Sequence, residues 1–371
     1  MCNRFPSPGY FDLLCIEHHI KARQIELSQS LAHRKKVYLD ACFWIAIRDA
    51  HLGARKDAPA QELLSLLRQG VDEYKILCPI SGSMFLELVK QPHTEGRRIG
   101  TAKIIDELSL GVAMIPPPNV MATEIYVFLL EAKDGVDLHP IQELIWTKAA
   151  HVLGDLIPSS TGLSPTDEDA VQKQFFDHLW DYSLLELINT VGDQAPPTDG
   201  FDRLSKETNR LNAMHQHELR SFEQAYDTEL RGAVQIAGEI AADIIKELAE
   251  KDEGRKLTFS HAERACSVNM CQNLIYRAFK NPTNKDTLRS VHVGASIHAG
   301  MRWDKFRNFK PNDYYDFAHA TAALSYCDVF LTDGPLHHLV TQLELEAVNE
   351  CKTISDRQAA VEHIQEILSS D

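Results

Sequence analysis

Hydrophobic residues near the start of the chain alternate between patterns typical of strands and patterns typical of helices. The apolar run 37–39 predicts a short strand that ends at Asp40 and passes directly into a helix. A helical pattern over 59–69 ends at Gly70, as helices often end at a glycine, and residues 74–81 then predict a second strand. This part of the chain is therefore predicted to contain a β-α-β unit.

The pattern changes after a third predicted strand at 112–116. From about residue 119 to 290 the apolar residues recur every three or four positions, which predicts an all-helical insertion. Alternation of helices and strands returns towards residue 371, so we predict one parallel α/β sheet interrupted in sequence. The predicted divisions are a helical extension (1–34), the first part of the core (35–118), the helical insertion (119–294) and the second part of the core (295–371).

Composition restricts the class of protein. The hydrophobic content of 44% is ordinary for a soluble globular protein, and no run of 18 apolar residues occurs. The first residues lack the pattern of a signal peptide, so we expect a cytoplasmic protein that does not associate with membranes. The eight cysteines include no CxxC pair, which favours reduced thiols over disulfides or a zinc site.

Charge is unevenly distributed along the chain. The net charge of −15 argues against a protein that simply coats nucleic acid, because phosphate binding depends on Lys and Arg. Residues 251–310, however, contain 12 Lys or Arg against five acids, so this stretch carries +7 and the remainder −22. The stretch is either a local surface for a polyanion or a set of solvated helix faces whose acidic partners lie elsewhere.

Acidic residues follow the predicted strands. Asp40 and Asp333 each end a strand, and Glu87 lies on the helix after the second strand. Asp316 lies near the start of a helix, with Asp313 one turn earlier. Because the carboxyl ends of parallel strands meet at one edge, we expect these carboxylates to gather there and to repel one another unless a divalent cation is bound. Oxygen ligands favour Mg²⁺ or Mn²⁺.

Each acid taken singly also has an ordinary structural explanation, such as helix capping, a helix dipole or a turn. The prediction of a metal site therefore depends on their occurrence together. Four segments carry them in order, namely VYLDACFW, PISGSMFLEL, DFAHATAAL and CDVFLTD. Together these segments resemble the PIN-domain nucleases.

The resemblance covers roughly residues 35–118 and 295–371, about two fifths of the chain. It implies a PIN-like three-layer fold with a central parallel sheet. It places the catalytic and metal-binding acids at Asp40, Glu87, Asp316 and Asp333. Asp313 is an extra acid that serves either as a fifth metal ligand or as a negative charge at the start of its helix. The long helical insertion departs from the compact toxin nucleases of the family.

The chemistry implied by the resemblance is hydrolysis of phosphodiester bonds by a water bound to one or two Mg²⁺ or Mn²⁺ ions. It favours single-stranded RNA as the substrate, with DNA as the other possibility, and products with 5′-phosphate and 3′-hydroxyl ends. Such an enzyme would suit the role of a toxin or a phage-defence effector. The helical insertion could then serve as a substrate lid, a dimerisation arm or the docking site of an inhibitor.

Basic and aromatic residues interleave just before the second acidic helix. Such a segment can hold phosphates and stack on unpaired bases, although an amphipathic helix with its aromatics in the core explains the pattern equally well. The candidate substrate-binding residues are Arg302, Lys305, Arg307 and Lys310, interleaved with Trp303, Phe306 and Phe309, together with His319.

Two other classes of function fit the same residues. A catalytically silent PIN-like module could bind RNA or protein through the helical insertion without cutting. An unrelated α/β hydrolase or phosphatase could use Asp40 as its nucleophile. A phosphatase of that kind normally has a second Asp two residues later, where this chain has Cys42.

Overall fold

The computed structural model describes residues 16–91, 96–131, 138–191 and 199–370. Within these residues the protein is mostly helical and contains a small parallel sheet. In chain order the elements are α1 (Ile16–Leu31), β1 (Lys35–Leu39), α2 (Ala41–His51), α3 (Ala58–Asp72), β2 (Ile76–Leu77), α4 (Gly82–Lys90), α5 (Arg97–Ser109), β3 (Val112–Met114), α6 (Pro117–Glu131), β4 (Trp146–Lys148), α7 (Pro165–Trp180), α8 (Leu184–Val191), α9 (Asp199–His215), α10 (Phe222–Glu253), α11 (His261–Ala278), α12 (Arg289–Trp303), α13 (Asp313–Tyr326), β5 (Val329–Leu331), α14 (Gly334–Gln342), β6 (Lys352–Ile354) and α15 (Arg357–Ser369).

The chain divides into two compact units. The sheet unit comprises the described residues of Phe5–Pro116, Gln142–Thr198 and Ala318–Asp371. The helical unit comprises those of Pro117–Ile141 and Asp199–Phe317. Helix α13 includes residues of both units.

Four strands of the sheet unit form a parallel sheet in the order β2-β1-β5-β6. In β1, Tyr38 pairs with Phe330 and Leu39 with Leu331 of β5. The runs 37–39 of β1 and 329–331 of β5 are short, apolar and buried, because central parallel strands with both faces covered have no solvent side. The predicted α/β class with an interrupted parallel sheet is thus confirmed, and β1 and β5 are neighbours although about 290 residues separate them.

The segment around β3 differs from the prediction. Strand β3 is not hydrogen-bonded into the four-stranded sheet; it pairs antiparallel with β4, and only an isolated parallel bridge joins Ile80 to Ala113. Strand β4 lies inside the range predicted as all-helical, and that prediction is wrong there because three residues are too few to show strand alternation. The divisions also differ, since the described residues 142–191 belong to the sheet unit and 295–317 to the helical unit.

The core of the sheet unit lies between the sheet and the helices α2, α3, α5 and α15. Trp44 and Phe43 are among its largest buried side chains, so the helix that begins at Asp40 is held firmly against the sheet. In the helical unit, α10 packs against both α11 and α12. None of the helices in the described ranges combines the length and the apolar character needed to cross a membrane.

Candidate functional site

Asp40 lies where two neighbouring strands end. It follows β1 and caps α2, and its Oδ1 accepts hydrogen bonds from the backbone N–H groups of Cys42 at 3.0 Å and Phe43 at 3.4 Å. Its Oδ2 accepts from the hydroxyl of Thr332 at 2.5 Å and from the backbone N–H of Asp333 at 3.2 Å. The carboxylate therefore links the ends of β1 and β5 as well as capping a helix.

The environment of Asp40 opposes its negative charge. Burial raises the pKa of this carboxyl, while its hydrogen bonds and the nearby His319 act in the opposite direction and do not overcome burial. An additional positive charge at this edge of the sheet would therefore stabilise the ionised form.

Asp333 occupies the equivalent position after β5. It caps α14, and its Oδ1 accepts a hydrogen bond from the backbone N–H of Leu336 at 2.9 Å. Desolvation, followed by the charges of Asp40 and Asp333, raises the pKa of the thiol of Cys42, although Cys42 as a whole residue is exposed. The carboxylates of Asp40 and Asp333 thus both lie near enough to Cys42 to affect its pKa, as expected at the carboxyl edge of adjacent parallel strands.

Glu87 belongs to a chain of hydrogen bonds on α4, α13 and β1. Its Oε2 lies 2.7 Å from Nε2 of His319, and Nδ1 of His319 lies 2.6 Å from the hydroxyl of Tyr38. The Tyr38 hydroxyl also lies 2.6 Å from the hydroxyl of Ser81. Tyr38 precedes Asp40 by two residues, so its side chain points to the same face of the sheet as that of Asp40.

The hydrogen bonds of this chain can all be satisfied by one set of donors and acceptors. Burial raises the pKa of Tyr38 well above its usual value, so the phenol keeps its proton. In one such set Ser81 donates to Tyr38, Tyr38 donates to Nδ1 of His319, and Nε2–H of His319 donates to Glu87. The side chain of Glu87 is 15% exposed and that of His319 is 1% exposed, so only the Glu87 end reaches solvent.

Sequence reasoning did not foresee the role of Tyr38. The hydrophobic pattern places Tyr38 in an apolar strand and gives its hydroxyl no role. A buried tyrosine hydroxyl usually needs a hydrogen-bond partner, and this requirement is the signal that could have identified Tyr38. His319 was predicted to bind substrate. In the structure it is buried and both ring nitrogens are hydrogen-bonded, so it contacts Tyr38 and Glu87 instead.

The two acids of α13 lie in its first turn. Asp313 is buried, and its carboxylate accepts hydrogen bonds from the backbone N–H of Lys310 at 2.7 Å and from Arg307 at 3.5 Å. Asp316 precedes His319 by one turn on the same helix, and its place in a metal site stays a prediction.

The basic segment before α13 is only partly available to a ligand. Arg302 is paired with Glu229, and Arg307 with Asp313. Lys305 and Lys310 are exposed and form no ion pair with any residue that the structure describes. The alternative explanation of this segment as an amphipathic helix does not hold beyond residue 303, where α12 ends and a loop begins.

The oxygen donors at the sheet edge suit Mg²⁺ or Mn²⁺ in kind but are unequally available. All four acceptor positions of Asp40 are occupied, whereas Asp333 and Glu87 each use one oxygen, leaving the other without a hydrogen bond from the described residues. Among residues 16–370, outside the undescribed gaps, no three His, Cys, Asp or Glu side chains are grouped as a metal site. Mg²⁺ commonly binds through one or two carboxylates and completes its shell with water, so the donors fit it in chemical kind.

Comparison with known proteins adds no family assignment. No protein-family model, no curated protein and no solved structure matches the chain, and the resemblance to the PIN-domain nucleases therefore stays a prediction.

Proposed function

We propose that this protein is a divalent-metal-dependent nuclease whose reaction centre lies at the carboxyl edge of β1 and β5. One observation carries the proposal. Asp40 and Asp333 end adjacent parallel strands and are joined by a hydrogen bond, yet no Lys or Arg among the described residues pairs with either carboxylate or with Glu87. Carboxylates gathered without a cationic side chain favour a bound metal ion.

Asp333 and Glu87 are the residues that would hold Mg²⁺ or Mn²⁺, because each keeps an open oxygen, with Asp40 buried beside Asp333. When bound, the ion would lower the pKa of a water molecule and stabilise charge on the leaving oxygen. His319 holds one oxygen of Glu87 and thereby fixes the direction of the other. Thr332 and the backbone of Asp333 fix the carboxylate of Asp40 in the same way.

The proposal is tested by measuring cleavage of 5′-labelled single-stranded RNA and DNA with Mn²⁺, with Mg²⁺ or with chelator. Asp333→Asn is the informative variant because Asn caps a helix as well as Asp does, so only the charge is lost. We expect metal-dependent cleavage by the wild type and a loss of at least about 100-fold in the variant, as for removal of other groups that stabilise transition-state charge.

Asp356→Asn is the matched control. Asp356 caps α15 after β6, and its side chain accepts from the backbone N–H of Ala359, so it repeats the capping role of Asp333 one strand away. The control should cleave as the wild type does. Equal cleavage by Asp333→Asn and the wild type would overturn the proposed reaction centre, and cleavage that persists in chelator would overturn the metal dependence.

A second candidate is a module that binds RNA or protein without cutting. The observation that favours it is the full set of hydrogen bonds on Asp40, which gives this carboxylate a structural role that needs no metal. Binding of single strands by the wild type without cleavage under any metal condition would support this candidate against the nuclease.

A further inference from the structure

The loop between α12 and α13 presents one aromatic side chain to solvent. Phe306 is 99% exposed, whereas Phe309, three residues later, is buried. The other exposed residues of this loop are polar, so Phe306 does not belong to a contiguous apolar patch within it. Nothing in the core of the helical unit accounts for a phenylalanine at this position.

Both ends of the loop are fixed by hydrogen bonds. The side-chain amide of Asn209 on α9 donates to the carbonyl of Phe309 at 2.8 Å and accepts from its N–H at 2.8 Å. Asp304 accepts from the backbone N–H of Phe306 at 3.1 Å, and its own carbonyl accepts from the N–H of Arg307 at 3.1 Å. The turn that carries Phe306 is therefore preorganised, and displaying the ring requires little further ordering on binding.

Two lysines of the loop lie on either side of Phe306 in sequence. Lys305 is exposed, with its Nζ 5.8 Å from the ring centroid of Trp303, and Lys310 is exposed at the other end of the loop. Neither forms an ion pair with a described residue, whereas the guanidinium of Arg307 is held by Asp313. In a chain of net charge −15, this loop thus carries two available positive charges beside an exposed ring.

We infer that the Phe306 loop binds single-stranded nucleic acid, with the Phe306 ring stacked on an unpaired base and Lys305 and Lys310 in contact with phosphates. An aromatic platform beside unpaired cations fits a single strand, since every base offers a flat face and every nucleotide a negative charge. A protein partner would instead require a larger contiguous apolar surface. The inference takes its substrate class, single-stranded nucleic acid, from the proposed function, and it adds the residues that would bind this substrate.

The test measures binding of labelled single-stranded RNA and DNA of equal sequence to the full chain in chelator, where a metal-dependent nuclease does not cut. Phe306→Leu should weaken binding about 10-fold or more with an unchanged salt dependence, because it removes stacking and leaves the charges. Phe306→Trp is the matched control and should retain binding. Replacing Lys305 and Lys310 together by Gln should reduce the slope of log affinity against log salt by about 1.4, at about 0.7 per phosphate contact on a single strand.

Tighter binding of RNA or of DNA identifies the nucleic acid that the loop prefers, and either result supports the inference. Equal affinities of Phe306→Leu, Phe306→Trp and wild type would overturn it, as would absence of binding by the wild type. A change in sedimentation of Phe306→Leu with unchanged nucleic-acid affinity would overturn it in favour of a protein contact. Because no metal is present, these results are independent of the cleavage assay and distinguish failure of this inference from failure of the nuclease proposal.

Discussion

Removal of the Tyr38 hydroxyl tests the hydrogen-bond chain that holds Glu87. Tyr38→Phe deletes one oxygen from a fully buried side chain and leaves its carbon atoms in place. Two buried partners then lose a hydrogen bond, namely the hydroxyl of Ser81 and Nδ1 of His319. The substitution therefore isolates the polar contribution, with almost no cavity formed.

The size of the effect follows from these two bonds. Each buried hydrogen bond contributes about 0.5–1.5 kcal/mol, and a partner left unsatisfied costs about 1–3 kcal/mol. The hydroxyl of Ser81 can rotate, so we take the lower part of the range for it. We expect Tyr38→Phe to lower the free energy of unfolding by about 2 kcal/mol.

Urea unfolding followed by near-ultraviolet circular dichroism measures the change, with Tyr74→Phe as the matched control. Tyr74 belongs to the same unit but is 73% exposed, so loss of its hydroxyl should change stability by less than about 0.5 kcal/mol. A double-mutant cycle of Tyr38→Phe with Ser81→Ala should show a coupling of about 0.5 kcal/mol or more. Equal midpoints for Tyr38→Phe and Tyr74→Phe would refute the buried chain.

Two further expectations concern packing and pH. In α10, a Cβ at Gly238 would lie 2.3 Å from Cγ of Gln272 and 3.1 Å from its backbone nitrogen, so Gly238→Ala should destabilise the helical unit by about 1 kcal/mol despite the better helix propensity of Ala. Gly232→Ala on the same helix meets nothing within 4 Å and should stabilise it by about 0.5–1 kcal/mol, so equal effects in thermal unfolding would contradict the close approach. Burial lowers the pKa of His151 to about 4, and a backbone hydrogen bond with Phe176 opposes this only in part. The unfolded chain therefore takes up a proton first as pH falls from 6.5 to 4, and stability should fall over that window. His151→Leu should flatten the dependence of the urea midpoint on pH, and an unchanged profile would show that His151 does not titrate in this way.

The meeting of Asp40 and Asp333 was within reach of sequence reasoning. Each residue follows a short apolar strand, and parallel strands place their carboxyl ends at one edge. The sequence does not specify that these two strands are neighbours, because strand order depends on packing between residues far apart in the chain. The adjacency of β1 and β5 is therefore a result of the structure.

The hydrogen bonds of individual polar side chains could not be predicted from the sequence. Hydrophobic periodicity treats Tyr38 as an apolar residue, and it does not reveal that His319, about 280 residues later, supplies the partner of its hydroxyl. The aromatic segment shows the same limit. Phe306 and Phe309 have the same side chain and similar neighbours in sequence, yet their burial is opposite. The ring of Phe309 packs against those of His298, Tyr314 and Phe317, and sequence periodicity does not reveal these contacts.

Asp40 and Asp333, the two acids at the sheet edge, differ in how far their hydrogen bonds alone account for a carboxylate at each position. The carboxylate of Asp40 accepts hydrogen bonds from four donors, one of them the N–H of Asp333. In Asp40→Asn the NH₂ group, which is itself a donor, would face some of these donors. Hydrogen bonding alone therefore requires a carboxylate at this position. Asp333 meets one N–H and is only half-buried, so Asn would satisfy the same geometry. Loss of cleavage in Asp40→Asn could therefore reflect a damaged fold, whereas loss of cleavage in a stable Asp333→Asn variant would reflect the missing charge. The carboxylate that is less constrained structurally is for this reason the one whose replacement tests the chemistry.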